Sequence, residues 1–341
     1  MTRSWVLAAW SLMVLGASSL SAAALGEGGP VARVAFVGDV MLAESEATGR
    51  LVAQGADPFA KVRSMLSAAD LRVGNFEASA GTRGQPDADK PYSFRATADA
   101  VRVFASVFEA AGVANNHAGD FGREDFVETL SVLQAAGSTS FGGGRTPGQA
   151  HRAVVFERNG LKIALLGYLD FMPRWFSVAP GLPGVAWLDE AQAAVDIARA
   201  WQHGADAVVV IPHWGTENEP LANDRQRRIA RALIDAGASA VIGGHPHVVQ
   251  DYELYKGRPI VYSLGNFVFD GFDDVDNLHG WALFADFDRQ GLSAIVTHTV
   301  RLDAEGRPSP VQARPGPCWE RGRAAMSPCP VRAEEPTGAP H

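Results

Sequence analysis

The sequence predicts an α/β fold with four layers, α-β-β-α, in which two β-sheets pack face to face and helices cover both outer surfaces. Strand-like and helix-like segments alternate from Val31 to Gly244, and four strand-like segments then follow without an intervening helix. This order is typical of two-sheet sandwiches with helices outside. Hydrophobic residues make up 47% of the 341 residues, so the chain can fill a sizeable core.

The individual elements follow from apolar spacing and from capping and turn residues. The first strand is VARVAFVG at 31–38, and the dipeptide Asn159-Gly160 predicts a β-hairpin over 152–168. Thr97 and Gly112 are the expected N-cap and C-cap of one helix. The predicted helices are 57–69, 97–112, 124–137, 189–204 and 223–237. The remaining predicted strands are 71–77, 205–212, 239–244, 251–255, 258–266, 281–288 and 292–303.

The N-terminal residues 1–24 are predicted to be a secretory signal peptide. Arg3 precedes an apolar run, and small residues then allow cleavage after Ala23 or Ala24. The alternative is a retained membrane anchor, because the apolar stretch approaches the roughly 20 residues that span a bilayer. In either case the protein is expected to be exported, to the periplasm or the cell exterior.

The C-terminal residues 304–341 are predicted to form a Pro-rich irregular tail. They hold 8 of the 20 prolines and show no periodic apolar pattern. The two cysteines, Cys318 and Cys329, both lie here, and an exported protein meets oxidising conditions. We therefore expect a disulfide between them.

Potential metal ligands and proton carriers follow one predicted strand after another. Alone, each has an ordinary interpretation; Asp39, for example, fits a turn or a helix cap. Together they are expected at one edge of the sheets, because ligands of open α/β sheets bind beyond the carboxyl ends of the strands. The residues are Asp39, Glu77, Asn115, Asn116, His117, His213, Glu217, His245, His247 and Asn266.

These side chains offer carboxylate, amide and imidazole donors to a divalent metal. That set suits Mn²⁺, Zn²⁺ or Fe²⁺, and spacing alone leaves one ion or two open. Pro246 fixes its own φ and is expected to hold His245 in extended backbone, which would make the turn between His245 and His247 rigid.

Six ordered motifs resemble the capsule-synthesis CapA family, also called poly-γ-glutamate synthesis proteins, a branch of the calcineurin-like metallophosphoesterase superfamily. The resemblance extends over residues 33–270 and implies a CapA-like, metallophosphoesterase-like domain at 31–303. The motifs are GDVML (38–42), NFE (75–77), ANNHAGDFG (114–122), HWGTE (213–217), GGHPHVVQ (243–250) and YSLGNFVFD (262–270).

The resemblance also implies roles for individual residues. His117 would protonate the leaving group, and Asp120, three residues later, is expected to accept a hydrogen bond from it. Glu217 and Asn266 are specific to the CapA-like branch and are expected to face substrate. The implied metal ligands are Asp39, Glu77, Asn116, His213, His245 and His247.

One position departs from the superfamily pattern. Two residues after the first aspartate, where a second ligand histidine is usual, this chain has Met41, a poor ligand for hard cations. Glu77 also stands where the superfamily has a bridging aspartate. One tight ion, or one tight and one weak, is therefore expected.

The resulting functional hypothesis is a metal-dependent hydrolase of the cell envelope, acting on a phosphoester or amide bond in capsule or poly-γ-glutamate production. The alternative is a non-catalytic assembly, export or polymer-binding factor. Expected partners are an envelope polymer or its precursor and other capsule-synthesis membrane proteins. The net charge of −8 argues against nucleic acid as a partner.

Overall fold

The computed structural model describes residue 1, residues 29–171 and residues 174–330. The predicted signal peptide or anchor at 1–24 and the last eleven residues of the predicted tail, 331–341, lie outside the described residues, except for Met1. Among the described residues, no helix is both long and apolar enough to cross a bilayer.

Strands and short helices occupy most of the described chain. The helices are α1 (Ala47–Ala53), α2 (Arg63–Leu66), α3 (Ala98–Ala105), α4 (Arg123–Ala136), α5 (Pro147–Ala150), α6 (Glu190–Gln202) and α7 (Asp224–Asp235). The strands are β1 (Ala32–Val40), β2 (Leu71–Phe76), β3 (Ala110–Gly112), β4 (Thr139–Phe141), β5 (Gly143–Gly144), β6 (Val154–Arg158), β7 (Leu161–Asp170), β8 (Gly184–Val185), β9 (Ala207–Trp214), β10 (Ala240–Ile242), β11 (Tyr252–Tyr255), β12 (Arg258–Val261), β13 (Asn266–Val268), β14 (His279–Asp288), β15 (Gly291–Leu302), β16 (Pro308–Val311), β17 (Pro317–Glu320) and β18 (Ser327–Pro328).

The strands form two main sheets. In the larger sheet the order is β18-β17-β15-β14-β1-β2-β3-β4, with β13 also paired to β1 and β16 to β15. In the smaller sheet the order is β11-β12-β10-β9-β7-β6. The central neighbours β1, β2, β3 and β4 are parallel, as are β7, β9, β10 and β12, so their carboxyl ends point the same way within each sheet.

Alternation along the strands builds three apolar layers. On β1, Val34 and Phe36 pack between the two sheets, whereas Ala35 and Val37 pack with the layer of α1 to α4. On β9, Val209 faces the middle layer and Val210 faces α6 and α7. Helices thus cover the outer face of each sheet, and the predicted four-layer α-β-β-α sandwich is confirmed.

Several local predictions are wrong. The helix expected over 57–69 is an α-helix only at Arg63–Leu66, and the strand expected over 258–266 is divided into β12 of the smaller sheet and β13 of the larger. The helix expected over 97–112 begins at the Thr97 N-cap but ends at Ala105, because its last three residues form β3 between β2 and β4. The tail expected to be irregular from 304 instead adds β16, β17 and β18 to the edge of the larger sheet. The predicted disulfide between Cys318 and Cys329 is confirmed and joins β17 to the end of this segment.

Candidate metal centre

The carboxyl ends of strands from both sheets meet at one site. Asp39 near the end of β1 pairs in register with Asn75 of β2 and with Asn266 of β13. From the second sheet, His213 near the end of β9 forms a bridge with Gly244, directly before the histidine turn. A Cβ at Gly244 would lie 3.0 Å from Asp39 Oδ1, so the missing side chain lets the two sheets approach at this point.

The two carboxylates of the site have no exposed surface. Nδ2 of Asn75 donates to Asp39 Oδ1 at 2.8 Å and to Glu77 Oε2 at 3.0 Å. Glu77 Oε1 is buried without a hydrogen-bond partner. Burial raises the pKa of Glu77 well above its usual value, and the neighbouring Asp39 raises it further. A cation would relieve both effects.

Two buried histidines, His213 and His247, face these carboxylates, and a third, His245, lies beside them. His213 Nε2 lies 2.8 Å from Asn116 Oδ1 and 3.8 Å from Glu77 Oε1. His247 Nε2 also lies 3.8 Å from Glu77 Oε1. The rings of His213 and His245 are 4.8 Å apart, and burial, followed by the charges of neighbouring histidines, holds the pKa of both well below the usual value. Neutral imidazole is the form that binds metals.

Two triads of ligand atoms are close enough to hold a cation. Asp39, Glu77 and His247 form one triad, and Glu217, His245 and His247 form the other, each with its ligand atoms within 4.8 Å of one another. In the second triad Glu217 is exposed, whereas both histidines are buried. The structure therefore brings the six predicted metal ligands and Glu217 together, and their roles remain predictions.

The backbone of the histidine turn differs from the prediction. Pro246 was expected to hold His245 in extended geometry, but His245 has φ +97° and His247 has φ +58°. Positive φ in residues with a Cβ costs about 1–3 kcal/mol each and is concentrated at functional sites. The His245 N–H donates to Asp39 Oδ2 at 3.3 Å, so part of this cost is offset by a contact within the site.

His117 lies beside the cluster with a defined hydrogen-bond partner. Its Nδ1 is 2.8 Å from Asp120 Oδ2, as the spacing predicted, so Nε2 is the nitrogen that can exchange a proton with a substrate. Lys90 donates to Asp120 Oδ1 and, at 2.7 Å, to the carbonyl of Asn116. Burial lowers the pKa of His117, although Asp120 opposes this effect.

Asn266 is a partner of His247 in this structure. Its Oδ1 lies 2.8 Å from His247 Nδ1, and its Nδ2 donates to the carbonyls of His247 and Asn277. Asn266 has no exposed surface, so these contacts favour a positioning role over the substrate contact that the resemblance implied. The substrate role stays a prediction.

Met41 packs in the apolar layer of α1 to α4 and has no exposed surface. Its sulfur accepts the N–H of Ala43 at 3.3 Å and lies 3.8 Å from the Thr48 hydroxyl. The sulfur therefore contacts Ala43 and Thr48 inside the apolar layer and does not take the place of the missing histidine ligand.

Two residues of the site were missed from the sequence. Asn75 lies in the NFE motif and had no predicted role, yet it connects both carboxylates; its spacing of two from Glu77 along an extended segment was the available signal. Lys90 lies in a polar loop of DADKPYS, and nothing in its local sequence indicated that it would reach Asp120.

Comparison with known proteins finds the same family as the six sequence motifs. Residues 33–271 match the model of the family described as bacterial capsule synthesis protein PGA_cap. The chain is 35% identical over 286 residues to PGA biosynthesis protein CapA of Bacillus subtilis (strain 168), an alignment that covers 81% of this chain and 70% of that one. It is 31% identical over 298 residues to capsule biosynthesis protein CapA of Bacillus anthracis, with 81% and 68% covered.

A solved structure of the calcineurin-like phosphoesterase YfkN from Bacillus subtilis shares 15% identity at a TM-score of 0.44, covering 76% of this chain and 86% of that one. At this TM-score the likeness decides nothing about activity.

Proposed function

We propose that this chain, which belongs to the PGA_cap family of bacterial capsule synthesis proteins, is an exported, metal-dependent hydrolase of the cell envelope. Its substrate would be a phosphoester or amide bond of a capsule polymer, such as poly-γ-glutamate, or of a precursor. The predicted signal peptide and the Cys318–Cys329 disulfide support export.

The observation that carries the catalytic proposal is a set of buried ligand atoms without partners beside an oriented histidine. Glu77 Oε1 and both ring nitrogens of His245 are buried and lack hydrogen bonds. Buried polar atoms are normally satisfied, and leaving them unpaired is costly. A divalent cation of the Mn²⁺, Zn²⁺ or Fe²⁺ type fits this carboxylate and imidazole set.

The bound metal would supply Lewis acidity and an activated water. Asp39, Glu77, Asn116, His213, His245 and His247 would hold it. His117 would exchange a proton with the leaving group through Nε2. Asp120 and Lys90 position that imidazole, because Asp120 contacts Nδ1 and Lys90 contacts Asp120.

Metal analysis of the purified chain, compared with Asp39→Ala and His245→Ala, tests the metal site. We expect bound metal in the parent and a reduced amount in both variants; equal, negligible metal in all three would contradict the proposal. A screen of phosphoester and γ-glutamyl amide substrates with Mn²⁺ or Zn²⁺ then tests hydrolysis, with His117→Asn as the comparison. Absence of turnover that depends on His117 would favour the assembly or polymer-binding role.

A further inference from the structure

The loop after β9 carries Glu217 and is fixed to the histidine turn. The N–H of Asn218 donates to the carbonyl of Pro246 at 2.8 Å. Nδ2 of Asn277 donates to Asn218 Oδ1 at 2.8 Å and to the carbonyl of His247 at 3.1 Å, so it joins the two segments a second time. Asn218 has φ +63°, a left-handed conformation that asparagine tolerates and that a tight turn requires. Two side-chain and backbone contacts therefore hold this loop against the histidine turn.

This connection places a carboxylate close to a buried imidazole. A Glu217 oxygen lies within 4.8 Å of ring nitrogens of His245 and His247. His245 has no exposed surface, and neither of its ring nitrogens has a hydrogen-bond partner. The unpartnered imidazole is the independent observation that points to a cation here.

We propose that Glu217 is a metal ligand and that, with His245, it forms a second cation position beside the one formed by Asp39, Glu77 and His247. The inference rests on the metal site of the proposed function and adds a ligand and a stoichiometry to it. Glu217 thereby supplies, from a different loop, the protein ligand that Met41 cannot provide.

The shared histidine determines which position is weaker. His247 Nδ1 faces the amide oxygen of Asn266 and donates to it, so only Nε2 is free to bind an ion. His247 therefore serves one ion at a time. Asp39 and Glu77 would supply the first position with two buried carboxylates, whereas the second would depend on His245 and the exposed Glu217.

Equilibrium dialysis of the metal-stripped chain against Mn²⁺, with bound manganese measured by mass spectrometry, tests this assignment. We expect two ions in the parent chain and one in Glu217→Gln, with the affinity of the second position reduced at least about tenfold. Glu219→Gln is the matched control, because Glu219 is exposed in the same loop and belongs to neither triad; it should retain two ions. Electron paramagnetic resonance should show manganese–manganese coupling in the parent and the control only.

Three other outcomes would contradict either this inference or the proposed function. Equal stoichiometry and affinity in the parent and Glu217→Gln would overturn the role of Glu217 and leave the proposed metal site intact. Loss of both ions in Glu217→Gln, with an unchanged circular dichroism spectrum, would overturn the separate second position. Absence of bound Mn²⁺ and Zn²⁺ in the parent would overturn the proposed function itself.

Discussion

Glu77 is a carboxylate with no exposed surface beside a second buried carboxylate, and in the proposed metal site it would link protonation to metal binding. Its pKa is raised by burial and by Asp39. When the pKa of a carboxyl group is higher in the folded than in the unfolded protein, its contribution to stability is complete below the unfolded pKa, about 4.3. That contribution is lost as pH rises through the folded pKa. The metal-free protein therefore carries an electrostatic cost at Glu77 at neutral pH.

We predict that Glu77→Gln raises the melting temperature of the metal-free protein at pH 7 and reduces the further increase that Mn²⁺ produces. A gain of about 1 kcal/mol corresponds to about 2–4 °C in a large domain. The amide removes the charge and keeps an oxygen acceptor for Asn75. Scanning calorimetry with and without Mn²⁺ measures both effects.

The difference between the parent and Glu77→Gln should grow from pH 5 to pH 8. The comparison with the parent is needed because His213 and His245 also make stability depend on pH. Their pKa values are lowered, so they destabilise the fold as pH falls below about 6.5. Glu157→Gln, at an exposed position of β6, is the control and should melt like the parent. A metal-free Glu77→Gln protein that melts below the parent at pH 7 would contradict the explanation.

At the residue scale, sequence order predicted which side chains the structure brings together but not their backbone conformations. Asp39, His213 and His245 were found because each follows an apolar strand. The positive φ of His245 was not found, because the restriction before Pro246 pointed to extended geometry. Contacts made across the fold, with Asp39 and with the Asn218 loop, override that local preference.

At the element scale, the close approach of β1 to the Gly265 segment fixes the position of Asp39. The Asp39 N–H donates to the Gly265 carbonyl at 3.0 Å, and a Cβ at Gly38 would lie 1.8 Å from that same oxygen. A side chain at Gly38 therefore requires the two backbone segments to separate.

We predict that Gly38→Ala destabilises the protein by about 3 kcal/mol or more and weakens metal binding, since Asp39 moves with the strand. Urea unfolding followed by circular dichroism measures the first effect and Mn²⁺ dialysis the second. Gly148→Ala is the control, because an added Cβ at that helical position meets nothing within 4 Å and should be neutral or stabilising. Equal stability of the two variants would contradict this account.

Short elements were also where sequence reasoning failed. Ala110, Ala111 and Gly112 are compatible with a helix end, and only pairing with β2 and β4 makes them a strand. Conversely, α4, α6 and α7 lie close to their predicted ranges because each has several turns of apolar spacing and an acidic first turn. Length and periodicity determined which predictions succeeded.

For the whole molecule, the disulfide holds the C-terminal strands against β15. Cys318 lies in β17, which pairs with β15, and the N–H of Thr297 in β15 donates to Cys329 Sγ at 3.3 Å. The bond closes a loop with a sequence separation of 11. For a loop of this length the constraint on the unfolded chain contributes about 2–3 kcal/mol.

We therefore predict that replacing both cysteines by serine lowers the free energy of unfolding by about 2–3 kcal/mol without altering metal stoichiometry. Treating the parent with dithiothreitol should produce the same loss, and the serine variant should not respond to the reductant. Denaturant unfolding with and without dithiothreitol is the measurement. Unchanged stability in both experiments would show that the closed loop adds nothing.

The position of β1 in the larger sheet determines when the site can be assembled. β1 is flanked by β2 on one side and by β14, from near the end of the domain, on the other, with Ala32 opposite Phe287. Asp39 can therefore take its place only after nearly the whole domain has been synthesised, and such distant pairing is slow to form. If the chain crosses the membrane unfolded, the ion of the proposed site would be selected by the metals of the compartment in which folding is completed, and not by those of the cytoplasm.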